Sequence, residues 1–348
     1  MSDVDKAAVT QAENVAEKPR KRGCLGHCAK FWWAYLIAVV VVVVVVVPCV
    51  LLVAVPKIAQ DKVDEAELVV KRITVSNTKT SSLSMSIDTE ILTDGSVHAT
   101  IDGFPGVMYL EDDPEQKPFA RINFPETTSD AYQSVKVTQD LEIDDLAALT
   151  KFNSWLLTNE TLRVTVLGET NVHVKGIARS YGVTFKKTVT MPGMRLLDGT
   201  VVNQTRVAIM PDSNGNNFWG KVYIPNRSNF DIELGNTTFH NYLLGQEIGT
   251  VFVDNLSLKS GWDNVFDMRA SIEKLDAVLG ALGQEPYCSE AKGVLPFQLR
   301  GKTVVNNGQE LPYFADALGS ANQTIPIDIA TPLNATMNGK YELSCGKH

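Results

Sequence analysis

Between residues 31 and 55 the chain carries no Asp, Glu, Lys or Arg, and positions 39–47 are all valine. At about 1.5 Å per residue such a segment reaches about 37 Å, enough to cross a hydrocarbon core of about 30 Å with some tilt. Valine forms helices poorly in water. In lipid, however, every backbone N–H and C=O must be satisfied internally, so a single crossing segment has to be helical. Phe31, Trp32, Trp33 and Tyr35 supply an aromatic belt at one end, and Pro48 falls in the other half, where a kink is tolerated.

After Pro56 the period changes. Short alternating runs appear at 68–75, 82–87, 135–137, 162–166 and 184–189, and period two with β-branched residues predicts strands. Turn pairs separate them, among them Asp94-Gly95, Pro192-Gly193, Asp198-Gly199 and Asn214-Gly215, at the spacing of antiparallel sandwiches. One helix is predicted in each half, over 144–157 and over 271–282, from apolar residues near helical spacing. Each is followed by a similar run, Leu162 onward and Val294 onward, that reads strand, Gly-charge-Thr, strand. A duplication is therefore expected. The predicted layout is a basic cytosolic tail (1–30), a membrane helix (31–55), a first β-sandwich lobe (62–192) and a second one (193–348), two domains of ordinary size.

Charge orients this layout. The tail holds six basic and four acidic residues, and the part beyond the span holds 26 basic and 36 acidic, so the positive-inside rule places the N-terminus in the cytosol. A cleaved signal peptide would have a shorter n-region and a shorter apolar stretch. The formal net charge of −8 leaves no basic surface for nucleic acid. Seven Asn-x-Ser/Thr acceptors, at Asn159, Asn203, Asn226, Asn236, Asn255, Asn322 and Asn334, all lie beyond the span, as expected of a lumenal glycoprotein. Cys288 and Cys345 are the only cysteines on that side, and an oxidising lumen would join them. Cys24 and Cys28 flank His27. Two thiols and an imidazole fall short of a closed zinc site, and juxtamembrane acylation competes with an inert reduced pair. Cys49 is expected to pack within the span.

The stretch 217–228, with Ile224-Pro225-Asn226-Arg227-Ser228, followed by Leu234-Gly235-Asn236 and Gly245-Gln246-Glu247-Ile248-Gly249, resembles a fungal family of vacuolar-membrane proteins. Their lumenal part is a domain of unknown function, and the best-known member helps to terminate autophagy. The same block is similar to the late-embryogenesis-abundant (LEA) sandwich, in which an Asn-Pro-like turn joins two strands; here the order is Pro225-Asn226. The resemblance implies a mainly β fold, tandem LEA-like antiparallel sandwich lobes behind the membrane helix, and a vacuolar location, with plasma membrane or another endomembrane as alternatives. It also directs attention to Pro225, Asn226, Gly235, Gly245 and Gly249 as shapers of turns and bulges.

Catalytic patterns are sparse. His98, His173, His240 and His348 are scattered, and neither His-Glu-x-x-His nor Gly-x-Ser-x-Gly occurs. The run from Asp212 to Asn216 has Asn217 where a calcium loop needs Gly and Tyr223 where it needs Glu, so it is expected to be a turn. Asp112-Asp113 and Asp144-Asp145 face opposite ways on a strand or begin a helix, where acids favour the macrodipole. No cofactor and no metal is expected. The sequence reads as a non-catalytic, single-pass membrane glycoprotein that scaffolds or senses an unidentified lumenal protein or lipid partner. The alternative is a module that binds or transfers lipid or another apolar ligand between parted sheets.

Overall fold

A computed structural model describes residues 24–346. Its elements follow in chain order as α1 (Cys24–Cys49), a π-helical turn (Val50–Ala54), α2 (Val55–Glu65), β1 (Glu67–Ser76), β2 (Ser82–Leu92), β3 (Ala99–Ile101), β4 (Phe104–Leu110), β5 (Pro118–Phe124), β6 (Thr127–Thr128), β7 (Tyr132–Glu142), α3 (Leu146–Thr158), β8 (Thr161–Val174) and β9 (Ser180–Pro192). The second half continues with β10 (Val201–Val207), β11 (Phe218–Asn226), β12 (Phe230–Leu243), β13 (Gln246–Leu258), β14 (Gly261–Ile272), α4 (Leu275–Leu282), β15 (Val294–Asn306), β16 (Gln309–Glu310), α5 (Pro312–Gly319), β17 (Gln323–Asp328) and α6 (Ala330–Thr336). The chain divides into two compact units, Met1–Val55 and Pro56–His348. The fold is mainly β, as expected, with an apolar N-terminal helix.

The first unit is helical through Pro48, and the π-helical turn follows directly. A proline ring crowds the carbonyl four residues earlier and leaves it without an N–H partner, and a widened turn is one way for the backbone to absorb that.

Two sheets make the second unit. The smaller runs β5-β4-β8-β3-β6, with β9 on the other edge of β8. The larger runs β10-β11-β14-β13-β12-β1-β2-β7, with β15 also on β12 and both β16 and β17 on β15. Period-two alternation produces the layers: in β2, Leu83, Met85, Ile87 and Thr89 point inward, while Ser84, Ser86 and Asp88 point out. Seven antiparallel strands of the larger sheet, β10-β11-β14-β13-β12-β15-β17, curl until β10 and β17 lie side by side without a ladder between them. Every one of the seven sends side chains to a common apolar axis, where a cavity of about 50 Å³ remains.

The boundary expected at 192/193 does not separate two packing units. β1, β2 and β7 belong to the larger sheet, and β1 pairs with β12 in parallel, Ile73 opposite Phe230 and Val75 opposite Ile232. One contiguous core takes residues from both sheets. Phe152 of α3 stacks on Phe119 of β5 at 4.1 Å and meets Phe230 of β12 at 5.7 Å, so a single ring joins both halves of the sequence. The expected helices also shift. The first is α3, two residues later than predicted; the second shortens to α4, because Ser271 and Ile272 complete β14. The second half carries α5 and α6 besides, so the one-helix-per-half pattern does not hold. Each Gly-charge-Thr run lies inside one long strand, β8 or β15, rather than between two.

β12 is the strand on which these connections depend. One edge carries β13; the other runs beside β1 over 230–232 and beside β15 over 236–243. Gly235 sits at the change of partner with φ +85°, and its ladder with β13 is irregular on both sides. A Cβ there would lie 2.5 Å from the Val305 carbonyl oxygen and 2.8 Å from Asn306 Cβ. Gly235→Ala is therefore expected to lower the unfolding free energy by more than about 2 kcal/mol. Guanidinium titration of the full chain in detergent, read by tryptophan fluorescence, measures it; a loss below about 0.5 kcal/mol would contradict this account of the strand.

Candidate functional site

Trp32–Glu65 is the one helix among the described residues that is long and apolar enough to cross a membrane. The valines at 39–47 and the belt residues Trp32, Trp33 and Tyr35 are exposed, the state that lipid rather than water would tolerate. Cys49 is exposed on this helix instead of packed. Cys24 and Cys28 belong to the first turns of α1, but their side chains, like the whole of His348, lie outside the described residues.

Within the second unit, the α2 residues Ala59 and Val63 pack on Val172 and Val183. Gln60 makes a two-way contact with the free edge of β9: its Nε2 donates to the Thr184 carbonyl at 2.8 Å, and the Thr184 N–H donates to its Oε1 at 2.9 Å. Lys187 donates to the carbonyls of Asp64 and Ala66, and burial pushes its ammonium pKa down. Sequence reading misses this clasp, because one glutamine facing an edge strand has no local signature.

The glycan acceptors differ in access. Asn203, Asn236, Asn255 and Asn322 are exposed, and Asn159 and Asn334 are half-buried. Asn226 corrects the expectation. It is 1% exposed; its Nδ2 donates to the Phe230 carbonyl at 2.7 Å, and its Oδ1 accepts from the Ser228 N–H and hydroxyl at 3.0 and 2.7 Å. The Ser228 hydroxyl in turn accepts from the Phe230 N–H at 3.2 Å. The whole Asn-Arg-Ser triplet is therefore a turn-closing network between β11 and β12, and a glycan cannot be attached without destroying it.

The other motif positions shape backbone. Pro225 is buried just before that turn. Leu244 and Gly245, at φ +50° and +84°, make the two-residue hairpin between β12 and β13, a turn whose two positive φ angles match the twist of the strands. Gly249 approaches the Ser271 carbonyl too closely for any side chain.

The paired acids separate. Asp112 binds Arg163, and Asp113 binds Lys151 at 2.6 Å, an ammonium that holds the Asp113 carboxyl below its usual range. Asp144 binds Arg121 at 2.6 Å, and Asp145 accepts from the Ala148 N–H at 2.9 Å as the cap of α3. Asp212 receives the N–H groups of Asn214 and Asn216 at 2.8 and 2.9 Å, which closes the expected turn and lowers its carboxyl pKa. Asn217 is buried and bridges to β14 through both the N–H and the carbonyl of Ile272.

Two imidazoles meet carboxylates: His173 with Asp102 at 3.0 Å, and His240 with Glu247 at 2.6 Å. Among the described residues no hydroxyl or thiol is hydrogen-bonded to either ring. His240 lies beside a polar groove of about 440 Å³ shared with Tyr242, Arg300, Lys302, Asp316 and Ser320. Arg300 donates from Nε to the Gly319 carbonyl at the end of α5, so part of its charge stabilises that helix terminus. Glu285, Cys288 and Cys345 cluster closely. Both sulfurs are joined in the expected disulfide, so neither is available as a thiolate ligand.

The interior of the seven-stranded unit holds the groups that sequence reading passes over. Asn241 is 3% and Gln323 7% exposed, both line the axial cavity, and neither Asn241 Oδ1 nor Gln323 Nε2 has a protein partner. Their signal is parity: Asn241 occupies the same inward phase as Phe239 and Leu243, and Gln323 that of Ile325 and Ile327.

Residues 117–241 carry a domain described as a protein of unknown function, DUF3712. The match runs from the end of the β4–β5 connection into β12 and crosses the expected boundary at 192/193. No curated protein matches the chain. Similar solved structures include a bacterial adhesin from Mobiluncus mulieris containing intramolecular disulfide, isopeptide and ester bond cross-links, at 9% identity over 68% of this chain and 81% of that one, TM-score 0.19. The sporulation control protein Spo0M from Bacillus subtilis follows at 9% identity, 63% and 96% coverage and TM-score 0.19. The CupB6 tip adhesin from Pseudomonas aeruginosa has 6% identity, 76% and 98% coverage and TM-score 0.20. Likeness at these scores is too slight to carry over a function.

Three outcomes are expected. When the chain is expressed through the secretory pathway, peptide mapping of glycans should find occupancy among Asn203, Asn236, Asn255 and Asn322 and none at Asn226, and Asn226→Ala should cost about 2–3 kcal/mol for the bonds it strands. A glycan at Asn226 on folded protein would contradict the buried network. Reduction or Cys345→Ser should lower stability by about 4 kcal/mol, because the bridge closes a separation of 57 residues; unchanged melting would show that the carboxyl-terminal segment is held by packing alone.

Proposed function

We propose that this is a non-catalytic, single-pass membrane glycoprotein, N-terminus in the cytosol, whose β-rich unit faces a lumen and serves as a scaffold or sensor for a lumenal partner. The observation that carries it is the asymmetry about one apolar helix. The basic tail lies on one side, and the acidic body, all seven acceptor sequons and the disulfide lie on the other. Exposure of four of those sequons supports glycan attachment, and a disulfide fits an oxidising compartment. The fungal vacuolar membrane is the proposed location and a part in autophagy the proposed context, supported by the likeness of residues 217–249 to that family.

A short epitope after His348, probed in intact and in permeabilised vesicles, tests the orientation. Protection until the membrane is opened, with a mobility shift on glycosidase treatment, is the expected result. An epitope reachable from the cytosolic side would overturn the topology and the lumenal role together.

A further inference from the structure

The axis of the seven-stranded unit is apolar along most of its length and is crossed by one polar layer. Among the described residues no charged side chain lines it. In that layer Gln323 pairs with Leu299, Leu299 with Asn241, and Asn241 with Gly249, so two amides share a level at which the facing position on β13 has no side chain. Side chains at the same level on neighbouring antiparallel strands point to the same face. On the hairpin side of that layer lie Phe297, Ile325 and Ile327, and on its other side Phe239, Val251 and Val253.

Buried in the same unit, Asn217, Asn226 and Asn264 bond through both the oxygen and the nitrogen of their side chains, whereas Asn229, in the turn between β11 and β12, leaves its Oδ1 without a partner. Asn241 Oδ1 and Gln323 Nε2 are the exceptions at the cavity, one an acceptor and one a donor. A buried polar atom left without a partner is costly, and a guest that both donates and accepts would satisfy the pair.

We propose that this axis binds a slender, uncharged amphiphile: one hydrocarbon chain ending in a hydroxyl, whose end sits between Asn241 and Gln323 while the chain lies along the apolar interior. The absence of any cation in the lining excludes a free carboxylate, whose charge would be desolvated unpaired. The volume sets how the guest enters. About 50 Å³ is well below the cavity of about 150 Å³ that takes benzene, so the closed form accommodates a terminal group, and the chain requires a wall to give. The seam between β10 and β17 is that wall, since no ladder joins the two strands and both contribute lining, Val202 from one side and Gln323 and Ile325 from the other. This proposal is independent of the compartment and of the glycans.

The test uses the full chain in lipid nanodiscs with hexadecanol carrying a photoreactive diazirine in its chain, compared with the matching hexadecanoic acid. After irradiation, peptide mass spectrometry locates the adducts, and labelling of α1 by either probe serves as the internal reference. Adducts from the alcohol are expected on β10, β12 and β17, with the acid giving about tenfold fewer there relative to α1. Asn241→Leu combined with Gln323→Leu should reduce alcohol labelling of those strands about tenfold while α1 labelling stays constant. Should that variant not fold, competition by unlabelled hexadecanol on the wild-type chain decides the matter by loss of the β-strand adducts alone. Adducts confined to α1, which would leave the amides to water, or β-strand labelling unchanged by the variant or by competitor, would overturn the proposal.

Discussion

The folded unit depends on a change of partner along one strand edge. β12 must leave β1 and take up β15 without breaking its ladder to β13, and a backbone with a Cβ at residue 235 cannot make that step. Through β1 the strand holds β2 and β7; through β15 it holds β16 and β17 and closes the curl around the axial cavity. The smaller sheet is joined to this arrangement by packing, through the stack of Phe119, Phe152 and Phe230. Backbone pairing and aromatic contact thus converge within a few residues of the same strand, and the Asn226 network immediately before it sets the direction in which β12 begins.

Much of this was legible in local pattern. Period two predicted strands where β1, β2, β7, β8 and β9 lie; apolar spacing found α3 and the body of α4; and the only two cysteines beyond the span formed the bridge. Local pattern fails where a partner lies far away. Nothing in 67–76 states that β1 pairs in parallel with a strand about 150 residues later, because a half-buried alternation is compatible with any edge that offers the right register. The division into two lobes was the natural reading of equal lengths and similar runs, and long-range pairing overrides it. The expected layout also lacks α5 and α6, eight and seven residues long.

Buried amides mark the other boundary of legibility. An Asn-x-Ser triplet is a surface signal when only the residue types are known, yet Asn226 is among the least exposed residues in the chain. An Asx side chain can satisfy its own backbone two residues on, so the same three letters that recruit a glycan also build a tight turn between strands. Burial in the fold separates the two uses: Asn203 and Asn236 are exposed, whereas Asn226 is enclosed by the turn it closes. The phase of a polar residue is informative only where no bulge resets it: past Gly235 it places Asn241 inward with Phe239 and Leu243, and in β17 it places Gln323 inward with Ile325 and Ile327.

The treatment of free edges follows from the same economy of partners. A strand with one unpaired side offers N–H and C=O groups to any passing chain, and this unit leaves several. β9 is met by Gln60, whose amide reproduces one step of a ladder at Thr184, and by Lys187 reaching back to the end of α2. β10 receives the Thr336 hydroxyl from α6 at the Val207 carbonyl, and β10 and β17 lie against each other without a ladder. Side chains and neighbouring helices thus cover edges that more strands could have covered. The difference matters physically, because a ladder yields only cooperatively whereas a side-chain contact can be exchanged singly. The β10–β17 seam is the border of this kind whose two strands both line the axial cavity, Val202 on one side and Gln323 and Ile325 on the other, while the strands around β12 are joined to their neighbours by backbone pairing.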